Sequence, residues 1–441
     1  MFNLSRRSLI KGAGVAGLAG TMSLDGFATA WAQNASWKPE AGASLKLMRW
    51  KEFIPSEGKS FDEIVAAFTK ATGVAVQVTR EGLDDVQPKA SVAAATGQGP
   101  DIVWGSFSLP QLFPSKCVPM DDLADYLGKK YGGWTEGPEA YVRNKDHWLG
   151  LPIATNGNYI NYRTSAINKA GFKEIPADFD GFLSLCEAMK KNNTPPGFAL
   201  GHATGDGNSF VYWMLWGFGA HVVDEKGKVT INSPETAKAL EYGKKLYATF
   251  IPGTPSWNDG SNNKAFLAGE LYLTANGISI YVAAKTAGEK GDAKMKALAE
   301  DINHAYWPVG PVGKIGELQS VYPMMAFNYT KYPNACKAFM AFMLEAAQYN
   351  KWLVDSQAYL TETLKAYDSN PVWTADPKAK VFKDASNRCS VLDGMSANPQ
   401  KAAESLADFI VIDMFARYVT GQSDLKSTLA NAERQTKRLF G

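Results

Sequence analysis

The side chains best able to ligate a metal or act as nucleophiles are four cysteines (Cys117, Cys186, Cys336, Cys389) and four histidines (His147, His202, His221, His304). They are scattered. There is no C-x-x-C pair, no H-x-x-x-H spacing and no run resembling a haem or iron–sulfur motif, so neither a metal nor a cofactor is expected. Cys186 falls on the apolar face of Phe179, Phe182, Leu183 and Met189, and Cys336 aligns with Phe339, Met340 and Met343. Both read as buried free thiols, although an oxidising compartment would permit a disulfide. Gly12, Gly14 and Gly17 spell G-x-G-x-x-G, but that fingerprint needs a strand before it and a helix after it. Here it is preceded by Ser5-Arg6-Arg7-Ser8-Leu9-Ile10-Lys11, which resembles a twin-arginine export signal, and Ala30-Trp31-Ala32 downstream is an A-x-A cleavage site. The glycines therefore belong to a leader over residues 1–32. With no Cys before Cys117, the exported chain is expected to carry no lipid anchor and to be free in the periplasm.

The remaining chemistry lies in polar groups beside aromatic rings, and the elements that would position them are legible. Leu45 to Trp50 reads as a strand. Phe61, Ile64, Val65 and Phe68 form a helical stripe, with Ser60 and Glu63 spaced as a capping box and Gly73 as its stop. Val74, Val76 and Val78 alternate as a second strand, a small-residue helix runs from about Asp84 to Thr96, and Asp101 to Trp104 makes a short third strand. This βαβαβ order implies parallel strands flanked by helices. Ligands in such sheets bind beyond the carboxyl ends of the strands. Those ends carry Trp50 with Glu52, Arg80 with Glu81, and Trp104 with Ser106.

At 441 residues the chain fits two lobes. The second begins near Pro152 and predicts strands at Tyr159–Tyr162, Phe198–Leu200 and Leu271–Ala275, with helices from about Asp178, Asn208 and Ser233-Pro234-Glu235. The expected division is 33–152 for the first lobe, 153–306 for the second, 307–345 for a return to the first, and 346–441 for C-terminal helices packing mainly on the second. The 46 basic and 44 acidic residues nearly balance, and removing Arg6, Arg7, Lys11 and Asp25 with the leader leaves 43 of each. That excludes a nucleic-acid footprint. No stretch of about 18 apolar residues reads as a membrane span.

The order of landmarks resembles the extracellular solute-binding proteins of family 1, the sugar-type periplasmic receptors of ABC importers. The similarity is carried by Phe61 to Val78, by Gly99-Pro100-Asp101-Ile102-Val103, and by Gly150-Leu151-Pro152 with Tyr159-Ile160-Asn161-Tyr162. Further matches are Lys169-Ala170-Gly171-Phe172 before Pro176, and Val223-Asp224-Glu225-Lys226-Gly227 before Ile231-Asn232-Ser233-Pro234-Glu235. The resemblance implies an α/β fold of two lobes, each a mostly parallel sheet flanked by helices, joined by hinge strands and closing around a solute. It further implies a monomer that delivers the solute to an inner-membrane permease and does no covalent chemistry itself.

Burying a sugar or polyol needs aromatic planes for its C–H faces and polar side chains for its hydroxyls, because an unpaired polar group in a closed cleft costs about 1–3 kcal/mol. On that ground the candidate ligand-binding residues are Trp50, Glu52, Trp104, Ser106, Asn156, Asn158, Asp206, Asn208, Trp213, Trp257, Asn258, Asn276, Tyr281 and Tyr322. Alanine at Trp50 or Trp257 would then weaken binding by about tenfold or more without unfolding the protein, at least the roughly 1.4 kcal/mol of one lost contact. Two alternatives stay open. A polyamine receptor of the same fold would place Glu52 and Asp206 at its centre, since ammonium groups need carboxylates. A secreted glycoside hydrolase would need two carboxylates about 5–10 Å apart.

Overall fold

The structure, a computed structural model, describes residues 36–441 apart from residue 146. The leader at 1–32 lies outside the described residues. Two separate sheets organise the rest. Strands β1 (Ser44–Trp50), β2 (Ala75–Glu81), β3 (Ile102–Trp104), the short hairpin β4 (Arg143–Asn144) and β5 (His147–Trp148), β6 (Leu151–Asn156) and β7 (Tyr159–Arg163) follow in order. They are succeeded by β8 (Leu273–Asn276), β9 (Ile302–Ala305) and β10 (Ser320–Ala326). The first lobe holds the five-stranded sheet β2-β1-β3-β10-β6 and the second the three-stranded sheet β8-β7-β9.

The parallel βαβαβ start is present, with β1 parallel to both β2 and β3. The second sheet departs from the mostly parallel expectation, because β7 is antiparallel to both its neighbours. The cause is connectivity. A strand arriving from the other lobe enters from the cleft end and so runs against the lobe's own strands. β7 does this in the second sheet, and β10 does the same between β3 and β6 in the first. The first crossing falls between Asn156 and Tyr159 rather than at residue 152, since Leu151–Asn156 pairs with β10 as an edge of the first sheet.

Local chemistry explains most element ends. The first helix spans Pro55–Thr72 and stops at Gly73, whose φ of 76° suits a residue without Cβ. It starts earlier than Ser60 and Glu63 suggested, because Pro55 takes the first-turn position, where a missing N–H costs nothing. Helix Leu83–Thr96 ends likewise at Gly97. The expected strand Phe198–Leu200 is buried but joins no ladder: Pro196 makes a single bridge to Leu273, and Leu200 donates to the Thr254 carbonyl at 3.0 Å instead. Helix Pro234–Tyr247 starts as predicted, with the Ser233 hydroxyl accepting from the Thr236 N–H at 3.2 Å. Ser233→Ala is expected to cost about 1 kcal/mol, read from the urea unfolding midpoint at unchanged slope.

In the C-terminal segment, helix Ala346–Asp355 lies on Pro55–Thr72 of the first lobe, and helix Pro399–Ala407 touches the turn Leu109–Leu112 of that lobe. Helices Ile410–Val419 and Leu425–Phe440 pack on Pro234–Tyr247 of the second. All four cysteines are buried free thiols, and burial pushes Cys117 and Cys389 up to about 12. No helix among the described residues is long and apolar enough to cross a membrane.

Beneath the first sheet's cleft edge lies a buried cation. Arg49 is fully buried; its guanidinium meets both Glu57 carboxylate oxygens, at 2.8 and 3.0 Å. The Trp352 indole N–H also donates to Glu57, at 2.7 Å. The guanidinium carbon sits 4.4, 4.6 and 4.9 Å from the ring centres of Trp104, Phe61 and Trp50.

Candidate functional site

The carboxyl ends of β1, β3, β6, β8 and β9 all point at the other lobe, and the residues at strand and helix ends supply the cleft. Asn156 ends β6, Asn276 ends β8, Ser320 and Tyr322 open β10, and Asp206 begins the helix Asp206–Gly217. With Phe53, Leu83, Gly205, Asp259, Ser279 and Tyr359 these residues line a tightly closed cleft with only about 10 Å³ of free space. The lobes stand closed over it. The Tyr359 carbonyl accepts from the Asn156 amide at 2.7 Å, and across the lobes the Asp84 carboxylate accepts from the Thr204 hydroxyl at 2.8 Å.

The amides and carboxyls of the wall are held by neighbours. Asn276 donates to Asn263 at 2.8 Å and to the Ser279 hydroxyl at 3.2 Å. Asp206 accepts from the side-chain amides of Asn158 and Asn262, both at 2.6 Å. Asp259 accepts from the backbone N–H of Gly205 at 3.0 Å and of Asp206 at 2.7 Å, at the positive end of the helix. Burial, then the Asp259 charge, raises Asp206 well above the usual carboxylate range against the pull of its two amides. Burial and Asp84 push Asp259 up to about 7, against its two backbone bonds. The floor is aromatic: the Tyr322 and Tyr359 hydroxyls stand 3.4 Å apart, and Trp50 stacks behind Tyr322 at 4.2 Å between ring centres.

Of the residues expected from sequence, Asn156, Asp206, Asn276 and Tyr322 come together on this wall. Asn158 stands behind them as the partner of Asp206. Trp50 and Trp104 are buried beneath Tyr322, whose carbonyl accepts from the Trp104 indole at 3.2 Å. Glu52 is turned away into an ion pair with Arg80 at 3.0 Å. Burial opposes its ionisation, but a backbone hydrogen bond and Arg80 outweigh that and hold its carboxyl below its ordinary value. Trp213 belongs to the core of the second lobe, stacked on Trp307 at 4.7 Å. Ser106 and Asn208 line a separate narrow crevice between the lobes with Gln87 and Phe409. Trp257 packs half-buried against Gly197, and Asn258 is exposed, its side-chain oxygen accepting from the Ser261 hydroxyl at 2.9 Å. Tyr281 points to a different pocket, donating to Asp376 at 2.6 Å beside Lys285.

Sequence reasoning missed Phe53, Asp84, Asp259, Ser320 and Tyr359. Asp259 comes directly after Trp257 and Asn258, so its loop was visible but not its inward side. Tyr359 comes from the C-terminal segment, where no strand end marks it, and carried no signal. Among the described residues, no group of three His, Cys, Asp or Glu is arranged to hold a metal ion.

Two α/β lobes shut over a polar cleft with an aromatic floor make up the architecture of a protein that clamps a small solute. A family profile described as bacterial extracellular solute-binding protein matches residues 63–381, and the chain belongs to that family. It is 23% identical over 402 residues to the putative ABC transporter periplasmic-binding protein YcjN of Escherichia coli, covering 86% of this chain and 88% of that one. A probable ABC transporter-binding protein of Deinococcus radiodurans is 22% identical over 410 residues, covering 88% and 92%. The fold is also that of the maltose-bound MalE3 of T. maritima, with a TM-score of 0.77 at 17% identity over 90% of this chain and all (100%) of that one. A solute-binding protein of Agrobacterium vitis with bound D-mannitol gives 0.72 at 17% identity, over 90% and 98%.

Proposed function

We propose that this chain is the periplasmic solute-binding component of an ABC importer and that its solute is a carbohydrate or polyol. The observation that carries the reading is the cleft wall. Two carboxyls (Asp206, Asp259) and two carboxamides (Asn156, Asn276) stand around the phenols of Tyr322 and Tyr359. Carboxylates and amides accept from hydroxyls, amide N–H groups donate back, and the ring faces cover C–H surfaces. In this reading the leader exports the folded chain by the twin-arginine route, the protein works free in the periplasm as a monomer, and the closed form is what the permease receives. The Asp206–Asp259 pair also suits a polyamine. Glu52, already neutralised by Arg80, does not support that second reading.

A thermal-shift screen with maltose, laminaribiose, mannitol, ribitol, putrescine and spermidine separates the two. A ligand at about 1,000 times its dissociation constant adds roughly 4 kcal/mol to the folded state, a shift of several degrees. A shift with sugars or polyols is expected. A shift with the polyamines alone replaces the carbohydrate reading, and no shift with any of them removes it.

A further inference from the structure

Asp84 stands in the first turn of helix Leu83–Thr96, on the first lobe. Its Oδ1 accepts from the Thr204 backbone N–H at 3.2 Å and from the Thr204 hydroxyl at 2.8 Å, both on the second lobe. From the other side Asp259 takes the next two backbone N–H groups, Gly205 at 3.0 Å and Asp206 at 2.7 Å. Three successive amides at the start of one helix are thus divided between two carboxyls, one from each lobe. A helix N-terminus favours a negative charge. Two carboxylates facing each other in a water-poor cleft cannot both stay ionised cheaply. Because Asp84 and Asp259 accept from the neighbouring amides of Thr204 and Gly205, closure brings the two carboxyls side by side, and a proton on one relieves their repulsion.

We propose that Asp84 is a positioning residue that latches the two lobes together, and that latching takes up one proton at the Asp259 carboxyl that Asp84 faces. Closure is therefore easier in acid. The other titratable groups acting on the pair are Asp206 on the second lobe and the phenols of Tyr322 and Tyr359, with Asp85 next to Asp84 on its own helix. None supplies a positive charge, and neither Asp84, Asp206 nor Asp259 forms an ion pair among the described residues.

The sign is set by the Asp259 carboxyl, pushed up to about 7 in the closed form in part by Asp84. Separating the lobes removes the Asp84 contribution, so the closed form holds the proton more tightly than the open one. The advantage of closing is complete below the open-form value, is lost as pH rises toward about 7, and changes no further above it.

Small-angle X-ray scattering of the protein without added solute, at pH 5.5 and pH 8.5, reads the closed fraction. The closed-to-open ratio is expected to fall with pH by up to about tenfold per pH unit, the limit for one proton, with a larger radius of gyration at the higher pH. Asp84→Asn keeps an acceptor for Thr204 and offers Asp259 a permanent N–H, so it should stay compact at both values. Asp84→Ala lacks the acceptor and should be expanded at both, with its far-ultraviolet dichroism unchanged. A radius of gyration independent of pH in the unmodified protein overturns the proposal, as does an Asp84→Asn protein that still expands at pH 8.5. Because no solute is added, the result stands apart from whether the cargo is a carbohydrate.

Discussion

Replacing Glu57 with alanine is expected to cost about 3–5 kcal/mol, the range for removing one partner of a buried ion pair. Arg49 is fully buried and Glu57 is 2% exposed, so the orphaned guanidinium cannot turn to water. It already lacks a partner at Nη1, and losing Glu57 would leave only its bond to the Trp50 carbonyl, at 3.2 Å. The three rings around it favour a cation but supply no hydrogen-bond acceptor of carboxylate strength. The Trp352 indole loses its acceptor in the same step. Equilibrium urea unfolding checks this at once: a midpoint within error of the unmodified protein would show that the pair contributes nothing to the fold. Changing Arg49 and Glu57 together to apolar residues of similar volume should recover much of the loss, because no uncompensated charge remains.

The second large effect is at Trp50, and it reverses what the sequence suggested. Trp50→Ala is expected to destabilise the protein by about 3–5 kcal/mol through the cavity it leaves. Its ring packs on Tyr322 at 4.2 Å and edge-on to Trp104 at 4.9 Å, and it is 1% exposed. No ligand reaches such a side chain. Any loss of solute affinity would come through Tyr322, the ring that Trp50 supports against the cleft. Tyr322→Ala should therefore weaken binding more than Trp50→Ala does in the fraction that remains folded, measured by calorimetry at matched folded concentration. Equal unfolding midpoints for Trp50→Ala and the unmodified protein would place Trp50 outside the core.

The two tryptophans show what could be read from the sequence and what could not. The strand ends were legible because apolar runs, helix stops at Gly73 and Gly97, and the short Asp101–Trp104 segment leave little choice of element. Which side chain at a strand end faces the ligand was not legible, since it depends on the layer packed behind. At Trp50 that layer includes Trp104 and Tyr322, drawn from two distant segments. Asn156, Asp206, Asn276 and Tyr322 come together on the cleft wall because each stands at or near the end of a strand or helix that reaches the cleft. Asn158, expected at the wall, instead stands behind it and holds Asp206 in place. Glu52 looked available because Arg80, the neighbour that occupies it, is 28 residues away along the chain. The antiparallel second sheet was hidden for a similar reason, as strand direction is set by where the chain crosses and not by any residue in the strand.

That crossing also has a consequence for synthesis. Strand β10 separates β3 from β6 in the first sheet, and it is made after the whole second sheet. Between Trp104 and Ala326 the ribosome must add every intervening residue, which takes roughly 11–44 s at about 5–20 residues per second. For that time β1 and β3 wait with one flank of their sheet unpaired, a surface on which newly made chains associate wrongly. The order of the strands thus makes the earliest-made part of the molecule one of the last to be completed, and leaves the nascent protein dependent on whatever shields that open edge until its end is released.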